Sequence, residues 1–139
     1  AHPPQDLAVI DYGCGSGILA IAACKLGARH VSGVDTDPQA LLATYDNADK
    51  NQASDCIDAY LPADVHSQPV PLLLANILAG PLQSLAPRFS ELVESAGHIV
   101  LSGILAEQAE PIMQQYQATF DIQLVDQQED WVCLAGQRR

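Results

Sequence analysis

Basic residues are scarce in this 139-residue chain. Six Lys and Arg stand against 17 Asp and Glu, which gives a formal net charge of −11 at pH 7. A face that binds nucleic acid needs concentrated positive charge to neutralise phosphates, so this composition argues against a large one. It does not exclude a basic protein partner.

Long apolar runs are also missing. The longest, Ile18–Cys24, is far shorter than the roughly 20 residues of a membrane-spanning helix. The polar start AHPPQD does not read as a secretory signal. The four cysteines form no CxxC pair and no regular spacing. We therefore expect a reduced, cytoplasmic setting without membrane association.

Charged residues make up only 17% of the chain, whereas apolar residues make up 48%. Such a chain can bury enough surface to offset its conformational entropy, which excludes a disordered protein. The length suits one domain of ordinary size. We find no internal repeat, low-complexity tract or linker, and predict a single domain over residues 1–139.

Apolar strand-like runs alternate with helical stretches along the chain. We predict seven strands, at Leu7–Tyr12, His30–Val34, Ile57–Leu61, Leu72–Ala75, His98–Leu101, Phe120–Val125 and Trp131–Gly136. We predict four helices, at Ile18–Leu26 after a Ser16 cap, at Gln39–Asn51 after an Asp37 cap, at Pro81–Ser95 and at Ala106–Thr119. The order indicates an α/β fold with a mostly parallel sheet and helices on both faces. The last two strands are predicted to be an antiparallel hairpin that adds two edge strands.

A glycine loop joins the first predicted strand to the first predicted helix. The pattern D-x-G-x-G-x-G starts at Asp11 and includes Gly13 and Gly15. A dinucleotide fingerprint would need its third glycine at Ile18, and no GKS or GKT follows, which excludes a P-loop. Ligands bind at the carboxyl ends of strands in such sheets. An anionic Asp11 there suits a ligand with positive charge, such as the amino group of a methionine moiety.

A carboxylate ends the second predicted strand. Asp35 lies where it can accept hydrogen bonds from both hydroxyls of a ribose. Asp37 competes for this role, although its Asp-Pro pairing makes it the better helix cap. Together with the loop, Asp35 indicates a nucleoside cofactor without a pyrophosphate, and S-adenosylmethionine fits both features.

A polar amide follows the fourth predicted strand. Asn76 ends the apolar run LLLA. Methyl transfer to an amine requires a neutral nitrogen whose lone pair points along the displacement axis, and a side-chain oxygen can hold it there. Asn76 is therefore a candidate catalytic residue, or alternatively a cofactor contact. The scattered histidines, including His2 and His66, have no ligand spacing, and we predict no metal site.

Several segments resemble a known family. They are VIDYGCGSGILAIAACKLGA, GVDTDPQAL, DNADKNQASD, LLLANILAGPLQSLAP and LSGIL followed by EQAE. The chain resembles the class I, seven-stranded S-adenosylmethionine-dependent methyltransferases, and among them the methyltransferases of ribosomal protein L-eleven. The resemblance implies a Rossmann-like sheet and methylation of lysine and N-terminal amines on a large-subunit ribosomal protein. It implies cofactor contacts at Gly13, Asp35 and Asn76, supported by Gly15 and Asp11.

The chain also departs from that family. Members carry an N-terminal substrate-recognition domain and a Gly/Thr-rich segment, whereas only AHPPQD precedes the first predicted strand. We therefore expect a catalytic domain alone. NILA lacks the proline and aromatic residue of the NPPY motif of many amino methyltransferases, so an aromatic contact for the amine must come from elsewhere or is absent. The alternatives are a methyltransferase for another amine, or a non-catalytic module that binds cofactor or a partner.

Overall fold

A computed structural model describes residues 6–65 and 68–139. In this part of the chain seven strands form one sheet, in the order β3-β2-β1-β4-β5-β7-β6. The strands are β1 Ala8–Tyr12, β2 His30–Val34, β3 Ile57–Tyr60, β4 Val70–Asn76, β5 Val93–Leu105, β6 Phe120–Gln128 and β7 Trp131–Arg138. The helices are α1 Ile18–Lys25, α2 Pro38–Lys50, α3 Ala79–Ser84, α4 Ala86–Leu92 and α5 Ala109–Tyr116. His2 and His66 lie outside the described residues.

The first five strands are parallel, as predicted, and β6 and β7 form the predicted antiparallel hairpin. Of these two strands only β6 lies at an edge of the sheet, however, because β7 inserts between β5 and β6. The prediction of two added edge strands is therefore wrong. The burial pattern explains the order: Val132 and Leu134 of β7 are buried, whereas β6 is exposed from Gln123 onward.

Two of the predicted helix starts have different outcomes. Asp37 caps α2 as predicted, since its side chain accepts a hydrogen bond of 2.9 Å from the Gln39 N–H. Ser16 does not cap α1; the cap position is Gly17, whose φ of 88° is left-handed and which makes no side-chain bond. A backbone conformation that only glycine adopts easily therefore takes the place of the expected serine cap.

The predicted helix Pro81–Ser95 is wrong as a single helix. It divides at Leu85 into α3 and α4, and β5 already begins at Val93. Pro87 explains the division, because proline lacks the N–H for an intrahelical bond and its ring crowds the preceding turn. Pro111, by contrast, lies in the first turn of α5, where that N–H is not needed.

The core has a layer on each face of the sheet. The larger layer packs α3, α4 and α5 around the fully buried Phe89 and Tyr116, and the smaller one packs α1 and α2. In the smaller layer Cys24 of α1 and Cys56 before β3 form a disulfide, which the expected reduced setting does not predict. No helix in the described ranges is long and apolar enough to cross a membrane.

Candidate functional site

The glycine loop runs from the end of β1 to α1 and is held against β2. Gly13, Gly15 and Gly17 have φ values of 82°, 54° and 88°, a backbone region that other residues enter at a cost. The N–H groups of Gly13 and Cys14 both donate to the Val34 carbonyl, at 2.6 and 2.9 Å. The alternating left-handed turns therefore bring the loop across the carboxyl end of β2.

The Asp35 carboxylate closes the other side of this loop. Its Oδ2 accepts the Gly15 N–H at 2.9 Å, and its Oδ1 accepts the Asp37 N–H at 3.0 Å. A carboxylate has about four acceptor positions, so two of them remain for a ligand. The structure thus brings Gly15 and Asp35, both predicted cofactor contacts, together through a direct hydrogen bond.

Helix α2 braces the loop with two residues that sequence reasoning missed. The buried Thr44 hydroxyl lies 3.0 Å from the Gly15 carbonyl oxygen, and the Asn47 amide donates to the Ser16 carbonyl at 2.8 Å. Their spacing of three puts both on one helix face. Two polar residues, Thr44 and Asn47, on one face of a predicted helix were the sequence signal that could have identified them.

Asp11 is the least satisfied group in the site. It is 1% exposed, and neither carboxylate oxygen has a hydrogen-bond partner among the described residues. Burial raises the pKa of this carboxyl from 3.8 to about 7; the Ala20 backbone opposes the rise, and the charge of Asp35 adds to it. The geometry around Ala20 is too poor to count as a hydrogen bond, so we treat Asp11 as unpaired.

Asn76 lies at the end of β4, beside the glycine loop. Tyr12 pairs with Ala75 across β1 and β4, which puts Asn76 level with Gly13. A Cβ on Gly13 would overlap the side chain of Ile77. Asn76 itself is exposed, and its carboxamide makes no hydrogen bond to residues in the described ranges.

A cavity of about 570 Å³ opens on the side of Asn76 away from β1. Its lining comes from β4, β5, β6, β7 and the residues after β4, and consists of Asn76, Ile77, Leu78, Ser102, Gly103, Asp126, Gln128, Trp131, Val132 and Cys133. Trp131, 53% exposed, is the aromatic side chain of this lining, and Asp126 is its carboxylate.

The wall of this cavity belongs to a negatively charged part of the chain. Residues 89–137 contain acidic residues but no Lys or Arg. Burial raises the pKa of the Cys133 thiol, and the charge of Asp126 adds to the effect. The cavity therefore suits a cationic or hydrogen-bond-donating group better than an anion.

These features define the class of protein. A parallel sheet with one inserted antiparallel strand, a glycine loop after β1 and an acid after β2 form a Rossmann-like methyltransferase domain. The structure of a ribosomal protein L11 methylase from Lactobacillus delbrueckii subsp. bulgaricus matches with a TM-score of 0.88 and 36% identity, over 97% of this chain and 71% of that one. An RNA methyltransferase from Salinibacter ruber, solved with S-adenosyl-L-homocysteine, shares the fold at a TM-score of 0.77 and 16% identity, over 97% of this chain and 83% of that one.

The chain belongs to the ribosomal protein L11 methyltransferase (PrmA) family, whose model matches residues 2–139. It is 52% identical over 139 residues to the ribosomal protein L11 methyltransferase of Marinobacter nauticus, covering 97% of this chain and 47% of that protein. It is 55% identical over 132 residues to the ribosomal protein L11 methyltransferase of Cellvibrio japonicus, covering 94% of this chain and 45% of that protein. The chain thus spans about half the length of the curated relatives it matches. The roles of the individual site residues stay predictions.

Proposed function

We propose that this chain is the catalytic part of an S-adenosylmethionine-dependent N-methyltransferase that modifies amino groups of ribosomal protein L11. One observation carries the proposal: the exposed, unpaired carboxamide of Asn76 lies between the glycine loop and the cavity. A hydrogen-bonding group at the boundary of a cofactor site and an acceptor site can orient an amine for methyl transfer.

The glycine loop has the chemistry that this cofactor requires. When bound, S-adenosylmethionine supplies a methyl group activated by a positively charged sulfur. The two free acceptor positions of Asp35 fit ribose hydroxyls. Asp11, buried and unpaired, fits a nearby positive charge, since a buried carboxylate is costly without one. Gly13 and Gly15 let the backbone approach a ligand closely.

The cavity would take the acceptor amine. A lysine side chain is protonated near neutral pH and must release one proton to solvent water before its nitrogen can attack. Asp126 attracts the ammonium form, and the face of Trp131 can hold its charge. Once the amine is neutral, the Asn76 carboxamide oxygen accepts a hydrogen bond from one N–H group of the amine. This bond orients the nitrogen lone pair along the displacement axis. Trp131 would supply the aromatic contact that NILA does not.

The acidic wall of the cavity supports a basic, lysine-bearing protein as the partner, and gives no support for direct nucleic-acid binding. A ribosomal protein substrate would place the reaction in the cytoplasm. Relatives about twice as long as this chain are named for that substrate, ribosomal protein L11.

The test is transfer of a labelled methyl group from S-adenosylmethionine to purified L11. We expect Asn76→Ala to lower turnover by tenfold or more, because the amine loses its orienting contact. Gln115→Ala removes an exposed carboxamide near the end of α5; it is the matched control and should keep normal turnover. Transfer to small amines but not to L11 would indicate a different substrate. Cofactor binding without any transfer would indicate a non-catalytic module and refute the proposal.

A further inference from the structure

Strand β5 contains one extra residue beside the cavity. Leu101 pairs with Leu134 of β7, and Ile104 pairs with Val132, so three steps on β5 match two steps on β7. This is a β-bulge at Ser102 and Gly103. Bulges of this kind are common next to active sites, where they redirect a side chain.

Packing alone explains part of the bulge. Residues three apart on a regular strand point to opposite faces of the sheet. Leu101 and Ile104 are nevertheless both fully buried in the same core layer. The extra residue turns the Leu101 and Ile104 side chains to the same face of the sheet. This packing does not by itself require a glycine in the bulge.

The left-handed backbone at residue 103 favours glycine, and the space beside its Cα is occupied by Asn76. Gly103 has a φ of 80°, and a Cβ at this position would lie 2.6 Å from the Asn76 Oδ1 and 3.1 Å from the Ile77 carbonyl oxygen. Real Cβ atoms essentially never approach that closely. The carboxamide oxygen therefore occupies space that any other residue at 103 would fill.

A second glycine faces the same segment from the opposite side. Gly13 lies on the β1 side of β4, and the Ile77 side chain occupies the space where its Cβ would be. Gly103 lies on the β5 side, and the Asn76 side chain occupies the space where its Cβ would be. Both have left-handed φ values, of 82° and 80°. Asn76 and Ile77 are thus held between two glycines, one in the loop and one in the cavity wall.

We infer that Gly103 is a positioning residue, which fixes the orientation of the Asn76 carboxamide by leaving room for its oxygen in the β5 bulge. The inference rests on the proposed function only where it concerns turnover. Its structural part, the dependence of the Asn76 orientation on Gly103, stands without it.

The first test measures orientation. In the protein labelled with ¹⁵N, the Asn76 side-chain NH₂ signals are assigned by their loss in Asn76→Ala. We expect Gly103→Ala to shift or split these signals. Gly27→Ala is the matched control, because Gly27 has a φ of 103° but lies after α1, at the other end of the sheet. Unchanged Asn76 signals in a folded Gly103→Ala protein would overturn the inference.

The second test separates crowding from backbone strain. Gly103→Ala should lower methyl transfer by tenfold or more, and the double variant with Asn76→Ala should be no slower than Asn76→Ala alone. If Gly103→Ala folds poorly, the melting temperature replaces turnover. Removing the Asn76 carboxamide should then recover part of the loss, whereas equal losses in both backgrounds would overturn the inference. A wild-type protein without transfer would refute the proposed function but leave the signal and melting tests valid.

Discussion

Asp11 should make the stability of this protein fall as the pH rises. Its carboxyl is buried, unpaired among the described residues and close to the charge of Asp35, and its pKa is raised from 3.8 to about 7. The folded state therefore binds the Asp11 proton more tightly than the unfolded state. Neutral Asp11 makes its full contribution to the unfolding free energy below pH 3.8. This contribution falls between pH 3.8 and pH 7 and is lost above that range.

The size of the effect follows from the shift. About three pH units, at 1.36 kcal/mol each, give an upper value of about 4 kcal/mol for the cost of ionised Asp11 above pH 7. At pH 5 the same linkage gives only about 2 kcal/mol. The Asp11→Asn variant keeps the shape but cannot ionise. Relative to this variant, wild type should lose about 2 to 3 kcal/mol of unfolding free energy between pH 5 and pH 8.

The assay is urea unfolding of both proteins at each pH unit from 5 to 8, without cofactor. Asp55→Asn removes one exposed carboxylate and serves as the control for a change in net charge. A constant difference between wild type and Asp11→Asn over this range would refute the reasoning. It would mean that Asp11 stays ionised in the fold and that its charge is compensated.

Two further predictions concern the loop and the cysteines. Asp35→Ala should weaken S-adenosyl-L-homocysteine binding about 10- to 100-fold by calorimetry, since charge-assisted hydrogen bonds contribute about 1.5 to 3 kcal/mol; affinity equal to that of Asp55→Ala would remove Asp35 from the site. The air-purified protein, unfolded without reductant, should show two reactive thiols and not four, because Cys24 and Cys56 are bonded. Reduction should lower its unfolding free energy by up to about 4 kcal/mol, the loop-entropy value for a separation of 32, and four thiols from the outset would rule the bond out.

The alternation of strands and helices was predictable because buried parallel strands are continuous apolar runs, and Leu7–Tyr12 and LLLA are of this kind. The Asp37 cap was predictable because both its bond to Gln39 and its Pro38 neighbour are local. Strand ends were harder to predict. The last residues of β5 and β6 are polar or follow a bulge, so no local pattern extends through them.

The candidate site was also only partly predictable from the sequence. Gly13, Gly15 and Asp35 could be proposed from the sequence because a glycine loop and the acid after the next strand have a recognisable spacing. Thr44 and Asn47 were missed because their contacts with the loop depend on how closely α2 packs against it. A Cβ on Gly17 would lie 3.2 Å from the Thr44 Cα, and no sequence pattern encodes an approach of that kind.

The acceptor side of the site depends on strand order. Trp131 starts β7, and as an outer strand β7 would place it far from Asn76. With β7 inserted beside β5, Trp131 pairs with Leu105, near the bulge at Gly103 and across the cavity from β4. The position of β7 beside β5, with β6 outside it, therefore makes Trp131 part of the cavity wall. Because Val132 and Leu134 bury β7 while β6 stays polar, the same apolar alternation that stabilises the core also brings an aromatic side chain to the proposed methyl acceptor.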